Sequence, residues 1–284
     1  EYFIGYHQIQ RKKPEALRRA IHHGGKNLTL KITFLGTGTS QGVPVIGCEC
    51  KVCTSTDPRD KRLRSSIYIE VNEKSFVIDT GPDFRQQMLR EKIKKLDAVI
   101  FTHGHKDHTA GLDDVRAFNH IQKKSMPVYG AKEVLAQLKV EYFYAFADKK
   151  YPGIPQLDLY ELTGDPIEIE NVLITPLPVL HLKLPVFGFR IFDFAYITDA
   201  NVIPEETLAK LKGIKTLVLN ALQREKHLSH FNLEEAIAMA KKIGAEKTYF
   251  THISHKLDLH SVIEKELPDN ISLAFDGLQI KANP

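Results

Sequence analysis

Two short stretches of this chain concentrate residue types that bind metal ions. FTHGHKDHTAGLDD, residues 101–114, places His103, His105, Asp107 and His108 within six positions, directly after the apolar run DAVIF. Ligands packed this tightly behind a strand lie on a loop, where a rigid base lets them converge. Imidazoles at i and i+2 can grip one cation, and the Asp–His pair that follows can hold a second. A solvated polar loop explains one isolated histidine; it does not explain H-x-H-x-D-H. The second stretch, GCECKVC at residues 47–53, holds every cysteine of the chain: Cys48, Cys50 and Cys53. Three thiolates at this spacing are one donor short of the four that a closed zinc site needs.

Two cations at the first site need more donors than the loop supplies. His181 follows the run ITPLPVL, Asp199 ends FAYITD and His252 ends KTYFTH. Singly, each reads as a turn residue at the end of an apolar strand. Together they complete two metal shells, with Asp199 able to bridge both cations through its two oxygens.

This pattern resembles the metallo-β-lactamase superfamily, from about Ile32 to Ile280. The resemblance implies an α/β fold, a four-layer αβ/βα sandwich. It implies that His103, His105 and His181 bind one metal, that Asp107, His108 and His252 bind the other, and that Asp199 bridges them. Asp79, in FVIDTG, would orient a ligand imidazole. The cysteine triplet narrows the resemblance to the PhnP branch, the phosphoribosyl cyclic phosphate phosphodiesterases. That branch is similar also in GTGTSQGVP at residues 36–44, TPLP-x-x-H-x-K-L around His181, THISH at 251–255 and FDG at 275–277. By the same resemblance His255 is the fourth ligand of the thiolate zinc, which is then closed and structural. His230, in LSHFNLEEA, would be the general acid. His227 and His260 are its less favoured neighbours, and Arg116, in GLDDVRAF, is a candidate phosphate contact.

The expected cofactors are therefore two divalent active-site ions and one structural zinc. Mn, Zn and Fe all suit a His/Asp donor set. Paired cations lower the pKa of water and offset charge on phosphodiester oxygens. The expected reaction is hydrolysis of a small cyclic phosphodiester, of the ribose cyclic phosphate or cyclic nucleotide type. Three other readings compete. An RNase Z-like nuclease needs a long tRNA-gripping arm that the stretch from His181 to Asp199 does not offer. A lactone or thioester hydrolase of the superfamily lacks the cysteine triplet. A zinc-dependent nucleic-acid-binding module with a basic N-terminal arm leaves the His/Asp set unexplained.

Such ligands need a frame, and the intervening runs supply one. Short β-like segments, LTLKITFLG, SSIYIEV, KSFVIDTG and DAVIFTH, open the chain's ordered pattern after GGKN. Later ones are IEIENVLITPLPV, VFGFRIF, FAYIT, KTLVLN, KTYFTH and ISLAFD. Amphipathic stretches lie between them: DFRQQMLREKIKK, AKEVLAQLKV, PEETLAKLKG and NLEEAIAMAKKIG. Asn232 with Glu235 makes a capping-box start for the last of these, and Gly244 makes its stop. The pattern suggests two sheets faced by helices on the outside. No Pro- or Gly-rich linker divides the 284 residues, so one domain, 28–284, follows an N-terminal extension, 1–27, of helical pattern. That extension opens without Met, which reads as a trimmed or appended end.

Composition bounds the partners. A net charge of +4 is too weak to imply nucleic acid. No apolar run reaches membrane-spanning length. Three clustered cysteines cannot form a disulfide framework and suit a reducing, cytoplasmic setting. The expected partner is a small phosphodiester, with a homodimer left open.

Overall fold

The computed structural model describes residues 29–148 and 151–282. The helix expected within residues 1–27 lies outside them. The strands are β1 (Leu30–Gly36), β2 (Ser66–Val71), β3 (Lys74–Ile78), β4 (Ala98–Ile100), β5 (Met126–Gly130), β6 (Leu157–Glu161) and β7 (Ile167–Ile169). The second half adds β8 (Val172–His181), β9 (Leu184–Ile191), β10 (Phe194–Ile197), β11 (Thr216–Asn220), β12 (Lys247–Thr251), β13 (Ile271–Leu273) and β14 (Gln279–Ala282). They form two seven-stranded sheets, ordered β14-β1-β2-β3-β4-β5-β6 and β13-β12-β11-β10-β9-β8-β7. Each sheet joins an antiparallel meander to a parallel part, β3 to β6 in the first and β10 to β13 in the second.

Three apolar layers hold the sheets and helices together. Ile32, Phe34, Ile67 and Phe76 of the first sheet meet Ile174, Phe189, Tyr196 and Val218 of the second in the central layer. Val77, Val99 and Val128 on the first sheet's other face pack against Phe84, Met88, Phe118 and Leu138 from helices. Leu217, Leu219 and Phe250 do the same on the second sheet, against Leu233, Ala236, Ala240 and Ile263. Strand residues that are buried on both faces read as continuous apolar runs, which is why DAVIF and KTLVLN carry no alternation. The result is the four-layer sandwich that the family resemblance implied.

Several boundaries differ from the sequence expectation. IEIENVLITPLPV is two strands, because Glu170 and Asn171 both take left-handed φ, 53° and 66°, and turn the chain back on itself. The helix expected over 83–95 ends at Arg90, with Lys92 at φ 54°. Strands β5, β6 and β14 did not stand out in the sequence. MPVYG contains a Pro and a Gly, and β6 is an edge strand with mostly open side chains. The helix Leu233–Ile243 follows its sequence signals. Asn232 Oδ1 accepts from the Glu235 amide at 2.8 Å, Glu235 returns the bond to the Asn232 amide at 3.1 Å, and Gly244 ends the helix at φ 75°. No helix among the described residues is long and apolar enough to cross a membrane.

Candidate metal centres

The His/Asp residues leave the C-terminal ends of strands in both sheets, so the two sheets face each other across one cluster. His103 follows β4, His181 ends β8, Asp199 follows β10 and His252 follows β12. Asp79, just past β3, takes φ 66°, while Asp199 and His252 take 54° and 55°. A left-handed conformation costs a non-glycine residue about 1–2 kcal/mol. Strain of that kind concentrates at functional sites. Here it turns the chain off the sheet at each of these three residues instead of continuing the strand.

Asp79 is fully buried and organises two imidazoles. Its Oδ1 accepts from the Thr102 amide at 2.9 Å. Its Oδ2 accepts from Thr102 Oγ1 at 2.8 Å and lies 2.7 Å from His108 Nδ1. Since the Thr102 hydroxyl proton goes to Asp79, Thr102 Oγ1 is left to accept from His103 Nδ1 at 2.9 Å. Both Nδ1 protons are thereby assigned, and both Nε2 atoms turn inward. His103 Nε2 and His108 Nε2 are buried without a hydrogen-bond partner. His181 follows the same logic, with Nδ1 2.8 Å from the Ser229 carbonyl.

Asp199 lies between two groups of donors. One oxygen, Oδ1, is 3.5 Å from His108 Nε2 and 3.0 Å from His252 Nδ1. The other, Oδ2, is 3.9 Å from His103 Nε2. Asp107 Oδ2 stands 3.2 Å from His108 Nε2. One donor each from Asp107, His108, Asp199 and His252 falls within 4.8 Å of the others. On the opposite side the rings of His103, His105 and His181 form a triangle with centroids 4.6, 5.2 and 5.8 Å apart. His105 is exposed and opens the cluster to solvent, while His103, His108, Asp199 and His252 are buried. Unpaired imidazole nitrogens converging on carboxylates fit divalent cations of the Mn, Zn and Fe type.

Charges within the cluster oppose burial. Burial pushes the Asp199 carboxyl up, but His252, His108 and His103 together hold it well below the usual carboxylate range. Burial pushes His108 down, yet Asp199, Asp79 and Asp107 hold it well above the ordinary imidazole value. His103 is driven well down by burial and by His108.

His230 stands against the same cluster. Its ring lies 4.5 Å from His181 and 4.8 Å from His252, and Nδ1 is buried without a partner. Burial, and then His252, push it down to about 3. His181, Asp199 and His230 also offer donors within 4.8 Å of one another, so proximity alone does not separate it from the ligands. His227 is its exposed neighbour, ring to ring at 5.2 Å. Two other candidates lie elsewhere. His260 takes Arg62 Nη2 at 3.1 Å on Nδ1, in a buried network with Thr37 and the Ala274 carbonyl. Arg116 pairs with Asp113 at 3.1 Å on an exposed helix start, and makes no hydrogen bond to the cluster.

The cysteine loop forms a second centre. His255 Nδ1 lies 3.3 Å from Cys48 Sγ and 3.5 Å from both Cys50 Sγ and Cys53 Sγ. A tetrahedral zinc with Zn–S of about 2.3 Å and Zn–N of about 2.0–2.1 Å separates N from S by about 3.5 Å. The donor set fits zinc. The Cys53 amide, bonded to Cys50 Sγ at 3.5 Å, is the main influence holding Cys50 down to about 6, while burial pushes Cys53 up to about 11. Val43, Val52 and Leu259 pack around the loop as a small satellite core.

Sequence reasoning missed the hydroxyls that set the ligands. Thr39 Oγ1 and Ser65 Oγ each lie 3.2 Å from a nitrogen of His252, and Thr198 Oγ1 donates to Asp199 Oδ1 at 2.6 Å. A signal existed for part of this: Thr102, Thr198 and Thr251 each directly precede a ligand. Gln137 was also unmarked; its Nε2 donates to the Gly104 carbonyl at 2.6 Å, between His103 and His105.

The beta-lactamase superfamily domain, as a family, matches residues 74–253 of this sequence. The chain belongs to the beta-lactamase superfamily. Within it, a crystal structure of a new diphosphatase from the PhnP family is 40% identical with a TM-score of 0.84, over 90% of this chain and 98% of that one. An octanoyltransferase of Porphyromonas gingivalis is 39% identical over 88% of this chain, which spans 51% of that protein's length. A ribonuclease Z of Bacillus velezensis is 22% identical over 88% of this chain and 98% of its own. The superfamily fold thus accounts for the way both sheets deliver ligands to one edge.

Proposed function

We propose that this chain is a metal-dependent hydrolase of small phosphodiesters, of the PhnP-like branch, with cyclic ribose phosphates and cyclic nucleotides as the first substrates to test. The observation that carries the reading is Asp199, whose two oxygens face different donor groups, the arrangement a bridging carboxylate needs. His103, His105 and His181 would hold one cation, Asp107, His108 and His252 the other, and Cys48, Cys50, Cys53 and His255 a separate structural zinc. Two cations so held supply a nucleophile from water near neutral pH and offset the charge that develops on phosphoryl oxygens.

The chain's own residues do the rest. Asp79 and Thr102 keep His103 and His108 in the tautomer that presents Nε2 inward. His230 would give the leaving oxygen its proton as an imidazolium, a form that the anionic phosphoryl group of a bound substrate favours. The exposed His105 marks the side from which substrate enters. The likeness to a diphosphatase at 40% identity supports phosphoric ester or anhydride chemistry over lactone or thioester chemistry. The hairpin β8–β9 and strand β10 fill the chain between His181 and Asp199, which leaves no tRNA-gripping arm there. The chain spans only 51% of the octanoyltransferase, so that name does not carry acyl transfer to this chain.

The test is a substrate panel with manganese-, zinc- or iron-loaded protein. It should contain cyclic and linear phosphodiesters, a diphosphate, a phosphomonoester, a lactone and a thioester. Turnover of the phosphodiesters at least about tenfold above the lactone and thioester supports the reading. Preference for the diphosphate would move the assignment to anhydride hydrolysis.

A further inference from the structure

Beside the metal cluster, on the side of His181 and His230, the structure carries a rim of three leucines that packing does not explain. Leu182, Leu184 and Leu228 are 50%, 42% and 79% exposed. Leu182 and Lys183 form the two-residue turn between β8 and β9, since His181 pairs with Leu184. Leu182 has φ 58°, and Lys183 is not left-handed. Turns with positive φ at the first position favour glycine, because a Cβ there is strained. A half-exposed leucine at this position bears backbone strain and gains little burial.

Hydrogen bonds tie the three leucines to the catalytic edge. Leu184 lies cross-strand from His181, and paired residues project on the same face of a sheet. The Leu182 amide donates to Asn201 Oδ1 at 2.7 Å, and Asn201 Nδ2 donates to the Leu228 carbonyl at 3.0 Å. The next carbonyl, Ser229, accepts from His181 Nδ1, and the next residue is His230. Asn201 thus clips the 182 turn to the 228 segment, one residue from each metal-side contact. No exposed Phe or Tyr among the described residues belongs to either segment, where the one exposed ring is the imidazole of His227; Phe143, Tyr151 and Tyr160 lie elsewhere in the chain. Nucleobases are gripped by aromatic faces, whereas branched aliphatic surfaces suit saturated chains.

We propose that Leu182, Leu184 and Leu228 form a subsite for a saturated aliphatic group on the alcohol side of the scissile phosphodiester. This rests on the phosphodiester reading and narrows it away from an unsubstituted cyclic ribose phosphate. In the reaction, a water oxygen bonds to phosphorus and the bond from phosphorus to the aliphatic alcohol's oxygen breaks. The electron pair leaves with that oxygen, which takes up a proton beside His230. The products are a phosphate monoester and an aliphatic alcohol.

The methyl, butyl and octyl esters of adenosine 5′-phosphate test this, with metal-loaded protein and AMP release as the readout. A fully buried methylene is worth about 0.8 kcal/mol, roughly fourfold, and a half-open rim delivers part of that. The expected octyl-to-methyl ratio in kcat/KM is about tenfold or more. Leu182→Asn and Leu228→Ser should each cut that ratio at least about fivefold. Leu182→Asn should not lower the melting temperature, because asparagine tolerates left-handed φ. A ratio near one, with AMP released from all three esters, overturns the subsite and leaves the phosphodiester reading standing. Release from none of them, or from the cyclic substrates, overturns both. An unchanged ratio in the variants, with loss of a dimer by sedimentation, would make the leucines a self-association face and also overturn the subsite.

Discussion

Asp79 shows how one carboxylate orients two imidazoles that the proposed metal shells use. Its carboxylate assigns the protons of His108 directly and of His103 through Thr102. Asp79→Asn keeps the size but turns an N–H toward the His108 Nδ1–H. Losing such an outer partner typically costs about 10–100-fold in metal affinity. Manganese titration of the purified variant should show a loss in that range with the fold intact by circular dichroism; unchanged affinity would reduce Asp79 to a packing role. His230 makes a different prediction, because its proposed service is to the leaving oxygen alone. His230→Ala should cost about 10²–10⁴-fold on alkyl phosphodiesters and far less on p-nitrophenyl esters, which leave without a proton. Metal content should be retained. If a metal is lost instead, His230 is a ligand, and its closeness to His181 and Asp199 gains a different meaning.

At the scale of elements, the turn after β12 links the two centres. His252 faces the His/Asp cluster and His255, three residues on, faces the thiolates. The stretch between β1 and β2 that carries Cys48, Cys50 and Cys53 also supplies Thr39 and Ser65 to His252. Cys50→Ser should therefore lower the melting temperature and zinc content first, since a closed zinc site contributes folding free energy. A melting curve identical to wild type would refute the structural assignment. The helix Leu233–Ile243 gives a cleaner element-scale prediction. Asn232→Ala removes its cap and should cost about 1 kcal/mol, or about 2–4 °C in melting temperature for a domain of this size. Chemical denaturation reads that directly. The sequence made this helix legible because its cap, its amphipathic stripe and its stop are all local. Helix 84–90 was overestimated because its continuation, EKIKK, has helix formers, yet Lys92 takes φ 54° and turns the chain so that Ile93 packs on the core outside the helix.

For the whole molecule, mild chelation should remove the His/Asp ions and leave about one zinc per chain, because the thiolate site has no open position. Elemental analysis before and after chelation checks this, and complete loss of zinc with the fold intact would remove the structural centre. The sequence by itself determined which residues could ligate, since His, Cys and Asp at strand ends announce themselves by type and spacing. Its strand runs with interleaved amphipathic stretches pointed to two sheets faced by helices, and the family resemblance of its motifs implied the four-layer sandwich. Only the tertiary structure decided which oxygen of Asp199 faces which histidines, that His260 and Arg116 stand apart, and that three leucines edge the site. Those outcomes depend on contacts between residues far apart in the chain, such as Asn201 with Leu228 and His252 with Ser65. Local pattern carries no information about such pairs, because their geometry is set by how the two sheets pack.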